Sequence, residues 1–289
     1  MEVRDFLLQL SLTPGLTQKH LTVLVTWLEE HPQAVLPLSW LAICQLLSLT
    51  PQQAERGKAT YGSPRQYQQM ECQYPFIAIC DANYPMLLKE IYQPPVILYY
   101  DSDLRALQLP LVALVGARKV STYGQQVLKP LIRPLQTAGI GIVSGLALGV
   151  DYLVHQQCIE QRAVPIGVIG TSLDIAYPKS STTLQQQVAQ TGIVLSEYPV
   201  GTGPRKHHFP ARNRIIAGLC QTTVVIEAAE NSGSLITANL ALQENRNVLA
   251  VPGPINAVMS VGCNQLIAIG AGCVLRGEDI LSEMRLNNI

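Results

Sequence analysis

LVALVGARKVSTYG, residues 111–124, opens on five consecutive apolar residues and changes character at a glycine. A strand with one solvated face would alternate apolar and polar side chains; an unbroken Leu/Val/Ala run is a strand buried on both faces. Gly116, Ala117 and Arg118, then Ser121, Tyr123 and Gly124, read as a tight turn into a helix. Six further runs repeat the pattern: GIGIVSG (139–145), PIGVIGT (165–171), GIVLSEY (192–198), TTVVIEA (222–228), NVLAVPG (247–253) and AGCVL (271–275). Helix-length segments such as YGQQVLKPLIRPLQTA (123–138) and DYLVHQQCIEQRA (151–163) lie between them. This alternation predicts an α/β fold, an extended Rossmann-like parallel sheet sandwiched by helices.

Upstream the texture differs. Phe6, Leu7 and Leu10, then Leu21, Leu24, Val25 and Leu28, then Leu41, Ile43, Leu46 and Leu47 recur at helical spacing, interrupted by LTPGLT (12–17) and EEHPQ (29–33). A small all-helical N-terminal domain is expected over residues 1–72 and the α/β domain over 73–289. LTPGLTQKH could form a helix hairpin that grips a DNA backbone, but so few cations surround it that a packing module is the better expectation. YPFIAICDANYPMLLKEIYQPPVILYY (74–100), rich in β-branched residues and prolines, reads as edge strands and a turn-rich joint.

Composition narrows the function classes. Lys plus Arg and Asp plus Glu both number 20, so the net charge is zero and bulk electrostatic coating of a polyanion is excluded. With 48% hydrophobic and 14% charged residues, disorder is excluded as well. The longest nearly uncharged apolar stretch, TAGIGIVSGLALGV (137–150), is too short and too rich in glycine to cross about 30 Å of hydrocarbon. MEVRDFLLQL carries no basic leader, and seven scattered cysteines without a C-x-x-C pair read as reduced core residues. A cytoplasmic protein that does not engage membranes is expected.

Ligands of an open parallel sheet bind beyond the carboxyl ends of its strands, and small residues gather there. They are Gly116; Ser144 and Gly145, continuing to Asp151; Gly170, Thr171 and Ser172, then Tyr177, Pro178 and Lys179; and Ser232, Gly233, Ser234 and Thr237. Small turns let a backbone approach phosphate closely, and helix N-termini donate amides into it, so the recurrence predicts a row of anion seats. Between Glu197 and Glu227 there is no acidic residue, whereas Arg205, Lys206, Arg212 and Arg214 fall close together around HHFPARNRIIAGL (207–219). Arg212, Asn213 and Arg214 are placed at a helix start or the loop before it, where guanidinium forks suit phosphate oxygens, and Phe209 offers a ring for a base. The competing reading pairs these arginines with Glu197 and Glu227. His207 and His208 read as hydrogen-bonded spacers and His155 as a core or capping residue; no metal, no cofactor and no nucleophile with a paired base is expected. No G-x-G-x-x-G is followed by a ribose-binding acid, and no Walker motif is present.

VGARKVSTYG, SGLALGVD, VIGTSLDIAYPK, LSEYPVGTGPRKHHFPARNRIIAGL, VVIEAAENSGSLITANLAL and VLAVPGPI together resemble the DNA-processing protein A (DprA, or Smf) family over roughly residues 75–275. The resemblance implies a dimeric Rossmann protein, not an enzyme, that binds single-stranded DNA without marked sequence preference. It further implies protection of incoming DNA and loading of the recombinase RecA during natural transformation. Carried over by position, the family's DNA-contacting arginine is Arg118, its pocket lysine Lys206, its stacking aromatic Phe209, and a further basic position Lys179. The N-terminal helices resemble a sterile-alpha-motif-like domain, and the dimer contact falls in NQLIAIGAGCVL (264–275), on Gln265, Leu266 and Ile269. Three departures stand out: Ala117 replaces a usual serine and leaves only the backbone amide; Asn245 replaces a glycine in a turn; and no C-terminal winged helix is expected before Ile289. An enzymatic alternative treats NSGSLITANL as a loop like that of nucleoside-monophosphate phosphoribohydrolases with Glu227 as the carboxylate, although the paired glycines and the acid of that pattern are missing.

Overall fold

The structure, a computed structural model, describes residues 1–285 and divides into two compact units, Met1–Tyr99 and Tyr100–Ile289. In the first, LTPGLT and EEHPQ end helices as their turn residues require. α1 (Val3–Ser11) and α2 (Gln18–Glu30) bury Phe6, Leu7, Leu10, Leu21, Leu24 and Leu28, the periodic positions of the sequence. α3 (Trp40–Leu46), α4 (Pro51–Lys58) and α5 (Pro64–Glu71) each start on a hydroxyl cap, Ser39, Thr50 and Ser63. Buried Gln66 ties the bundle together, donating to the Gln9 carbonyl and to Thr13 Oγ1, both at 2.8 Å. The helices end at Glu71, while the compact unit continues to Tyr99. Its remainder is β1 (Phe76–Ala78), the short α6 (Met86–Lys89) and the start of β2 (Ile97–Ser102), with Phe76 opposite Tyr99 in an antiparallel pair.

In the second unit every expected strand forms: β3 (Leu111–Val115), β4 (Gly141–Ser144), β5 (Val164–Ile169), β6 (Ile193–Ser196), β7 (Thr222–Val225), β8 (Asn247–Ala250) and β9 (Gly272–Cys273). They are parallel and run in the order β6-β5-β4-β3-β7-β8-β9. β3 is therefore the point where the order reverses. Helices α7 (Thr122–Thr137), α8 (Val150–Gln161), α9 (Thr182–Thr191), α10 (His208–Leu219), α11 (Gly233–Gln243), α12 (Val261–Ala268) and α13 (Gly277–Arg285) flank the sheet. Leu128, Leu131, Ile132 and Leu135 of α7, with Val150 and Val154 of α8, join Val112, Leu114, Ile142 and Val224 in one buried cluster. Pro130 and Pro134 interrupt the hydrogen bonding of α7, yet this packed face keeps it helical.

Gly149, at φ +83°, caps α8 where a Cβ would stand 2.3 Å from the Ala117 carbonyl oxygen, so the chain can cross beneath the β3 turn only without a side chain. Asn245 takes φ +54°, the left-handed conformation that its replacement of a glycine demands. Cysteine burial is corrected: Cys158, Cys220 and Cys263 are buried, but Cys72, Cys80 and Cys273 are exposed and Cys44 is intermediate. NQLIAIGAGCVL is helical only as far as Ala268, its end supplying β9. Among the described residues no helix is long and apolar enough to cross a membrane.

Candidate nucleic-acid interface

Where β3 and β7 part company at the reversal point, a cleft of ≈ 770 Å³ opens at their carboxyl ends. Its walls come from the turn after β3 (Gly116, Arg118, Lys119), the first turns of α10 (Phe209, Asn213) with Lys206 before it, and the entry to α11 (Ser232, Gly233, Ser234, Thr237). Arg118, Lys119 and Lys206 are exposed and enter no ion pair among the described residues. Asp151 is the one acid in the lining, and it is buried. The cleft thus concentrates cations in a chain of zero net charge.

Two seats of the expected row are already occupied by the protein's own carboxylates. At the start of α7, Glu227 accepts from the Ser121 hydroxyl at 2.5 Å and from its amide at 2.9 Å. Gly124 follows because a Cβ there would stand 2.2 Å from the same carboxylate. The amide of Ala117, expected to be available to phosphate, donates to the Glu227 carbonyl at 2.7 Å. In the first turn of α8, Asp151 has its carboxylate beside the amides of Gly116 and Ala147; burial pushes its carboxyl up, against the pull of Arg212. The entry to α11 differs. Its Ser232 cap accepts from the Ser234 amide, no carboxylate approaches in the described contacts, and a Cβ on Gly233 would meet only open space. Within the cleft lining, that entry is a seat open to an external anion.

The cationic knot also resolves differently from its expected geometry. α10 begins at His208, a turn earlier than anticipated, because Pro210 lies in the first turn, where its missing N–H would have had no partner. Helical spacing then carries His208, Arg212, Ile215, Ile216 and Leu219 inward. Arg212 is 5% exposed and its guanidinium donates to the carbonyls of Gly145 and Val168, holding the ends of β4 and β5 together from the cleft floor. Burial lowers its pKa, with the Asp151 charge opposing. Arg214 is removed from the cleft altogether by a bidentate pair with Glu197 at 2.5 and 2.9 Å. The competing pairing therefore holds for Arg214, while Glu227 pairs with Ser121 instead. His208 Nδ1 donates to the Gly170 carbonyl (3.0 Å) and the ring stacks on Tyr198 with centroids 3.9 Å apart, the spacer role expected of it. His155 is fully buried in α8 and burial lowers its pKa to about 4, so it is a neutral core residue.

Of the remaining candidates, Ser144 is buried and donates to the Leu114 carbonyl at 2.7 Å. Gly145 is buried beneath Arg212, where a Cβ would stand 2.4 Å from the guanidinium. Neither lines the cleft. Lys179 is exposed at the start of a short 3-10 turn, also outside the lining. Lining residues that were not singled out from sequence include Lys119, Asn231 and Met259. Lys119 was legible, since it adjoins Arg118 beyond the same strand. For the expected dimer contact, Gln265 is exposed and Ile269 is 78% exposed, but Leu266 is 5% exposed and packs inward.

Comparison with known proteins places this geometry in company. The model of the family described as DNA recombination-mediator protein A matches residues 75–285. The chain is 46% identical over 210 residues to the DNA processing protein DprA of Streptococcus pneumoniae, covering 73% of this chain and 74% of that protein. It is 40% identical over 213 residues to protein Smf of Synechocystis, covering 72% and 54%. Among solved structures it resembles DprA from S. pneumoniae with a TM-score of 0.89 and 37% identity, over 98% of this chain and 99% of that one. It also resembles DNA processing protein A from Helicobacter pylori, a structure describing a single-stranded DNA binding mode, with a TM-score of 0.66 and 30% identity over 74% and 97%.

Proposed function

Because the chain belongs to the DNA recombination-mediator protein A family, we propose that its cleft binds single-stranded DNA without sequence preference. The observation that carries this is the meeting of Arg118, Lys119 and Lys206, which enter no ion pair among the described residues, with the carboxylate-free entry to α11 and the Phe209 ring in one cleft. Cations and amides seat phosphates, which every nucleotide has, and a ring stacks on any base, so neither contact reads sequence. Arg118 and Lys206 are the principal phosphate ligands, Ser232, Gly233, Ser234 and Thr237 line the seat, and Asn213 borders it. Arg212 acts as a strut below it.

The protein is a binder and not an enzyme in this reading: the carboxylate that glycosidic cleavage would need, Glu227, is 2% exposed and engaged by Ser121. It works as a homodimer through the edge of the sheet at β9, where Ile269 and Leu275 are 78% and 76% exposed. In natural transformation it protects incoming single strands and hands them to the RecA recombinase in the cytoplasm, a role in keeping with the recombination-mediator family. That handover is read as faster RecA filament assembly on DNA already coated by a single-strand-binding protein, and no acceleration would remove it from the account.

Fluorescence anisotropy of labelled oligo(dT), titrated at several salt concentrations, tests the binding. Wild type should bind, with affinity falling steeply as salt rises. Arg118→Ala and Lys206→Ala should each weaken binding roughly fivefold or more and flatten the salt slope by about 0.7, the share of one single-strand phosphate contact. Unchanged affinity in both variants would contradict the proposal.

A further inference from the structure

Tyr177 borders the cleft with 51% of its surface exposed, so an aromatic face is within reach of a ligand in the cleft. Its ring centroid stands 5.4 Å from that of Phe209, at an interplanar angle of 39°. Sandwiching a base between two rings requires about twice the ~3.4 Å base-stacking spacing. The separation is too small for a clamp, so the two rings form one bent platform whose outer surfaces are available.

Tyr177 is also held in place. It closes the loop after β5, in which Thr171 Oγ1 donates to the Ile175 carbonyl (2.6 Å) and the Ile175 amide to the Ser172 carbonyl (3.1 Å). The loop is tied outward as well, the Ser172 amide donating to the Thr202 carbonyl at 3.0 Å and Gln185 Nε2 to the Leu173 carbonyl at 2.9 Å. A ring on a braced loop loses little entropy when a planar partner stacks on it. Cations accompany both halves of the platform: the Arg118 guanidinium lies 5.8 Å from the Phe209 centroid, and exposed Lys179 follows Tyr177 by two residues.

We propose that Tyr177 is a second base-stacking residue of this cleft, receiving the nucleobase next to the one on Phe209, with Lys179 beside the phosphate of that nucleotide. This rests on the reading of the cleft as a single-strand site. The bend between the rings matches a strand whose neighbouring bases are partly unstacked from one another, and the preference is for base as a chemical class, whatever its identity.

The test compares wild type, Tyr177→Leu and Tyr177→Phe for binding of oligo(dT) and of an abasic oligonucleotide of the same length. Leucine keeps apolar cover over Phe209 but offers no aromatic face; phenylalanine keeps the face and loses only the hydroxyl. Tyr177→Leu should bind oligo(dT) about tenfold more weakly, at the lower end of one base–aromatic contact, while its affinity for the abasic strand stays at the wild-type level. Tyr177→Phe should match wild type on both. Wild-type oligo(dT) binding by Tyr177→Leu, or an equal loss on both strands, would overturn the inference and leave the single-strand reading standing. Failure of wild type itself to bind oligo(dT) would overturn both.

Discussion

At the scale of single residues, the two arginines of the RNR segment divide the labour of the site against their outward likeness. Arg212 satisfies two strand-end carbonyls and faces Asp151 in a water-excluded position, where removing one partner leaves polar groups and a charge uncompensated. Arg212→Ala should therefore lower stability by about 3 kcal/mol or more, seen as an earlier midpoint in urea, whereas exposed Arg118→Ala should leave the midpoint nearly unmoved and act on DNA affinity. An unmoved midpoint in Arg212→Ala would show that the guanidinium is not a strut. The difference between the two arginines was partly legible: residue 212 is in helical register with Ile215, Ile216 and Leu219, and register decides which way a side chain goes once the helix is known to begin at His208. The pairing of Arg214 with Glu197 was one of two readings the sequence left open, because register alone does not choose between phosphate and an acid seventeen positions away that the end of β6 brings to it. Likewise nothing local to Ala117 or Ser121 announces that Glu227, more than a hundred positions on, takes their donors.

Secondary-structure elements were the most legible level, for a physical reason. A strand buried on both faces has to be apolar throughout, and each of the seven runs in the α/β unit forms a strand at the expected place. Helix starts were harder, since HHFPARN carries no strong cap and its proline suits either a loop or a first helical turn. At β9 the element itself has consequences. It is an edge strand of only two residues, bordered by exposed Ile269 and Leu275, and an edge of this kind is normally covered. On the proposed dimer, wild type should have dimer mass in light scattering at micromolar concentration and Ile269→Asp monomer mass with the fold unaltered; a monomeric wild type, or a variant of unchanged dimer mass, would contradict a contact at this edge. Leu266, expected at the same contact, instead secures α12 from inside, and a substitution there should report on stability.

For the whole molecule, the decisive property is how charge is distributed and not how much there is. With equal numbers of acids and bases, a chain can attract a polyanion only where the fold prevents neutralisation. Strand order supplies that place: reversal at β3 opens the cleft, Glu227 and Asp151 fill the anion seats of α7 and α8 from within, and the α11 entry is left to a ligand. The existence of such a crevice could be anticipated from the alternating runs, since an open parallel sheet with helices on both faces must reverse its order somewhere; which seat stays open could not, because it depends on side chains that meet only after folding. The most direct measurement is a crystal structure of the protein with a short oligothymidylate. A phosphate within hydrogen-bonding distance of the Gly233 and Ser234 amides, flanked by Arg118 and Lys206, with a thymine on Phe209, is the result expected; a strand lying across another face, with this cleft holding only solvent, would contradict the account.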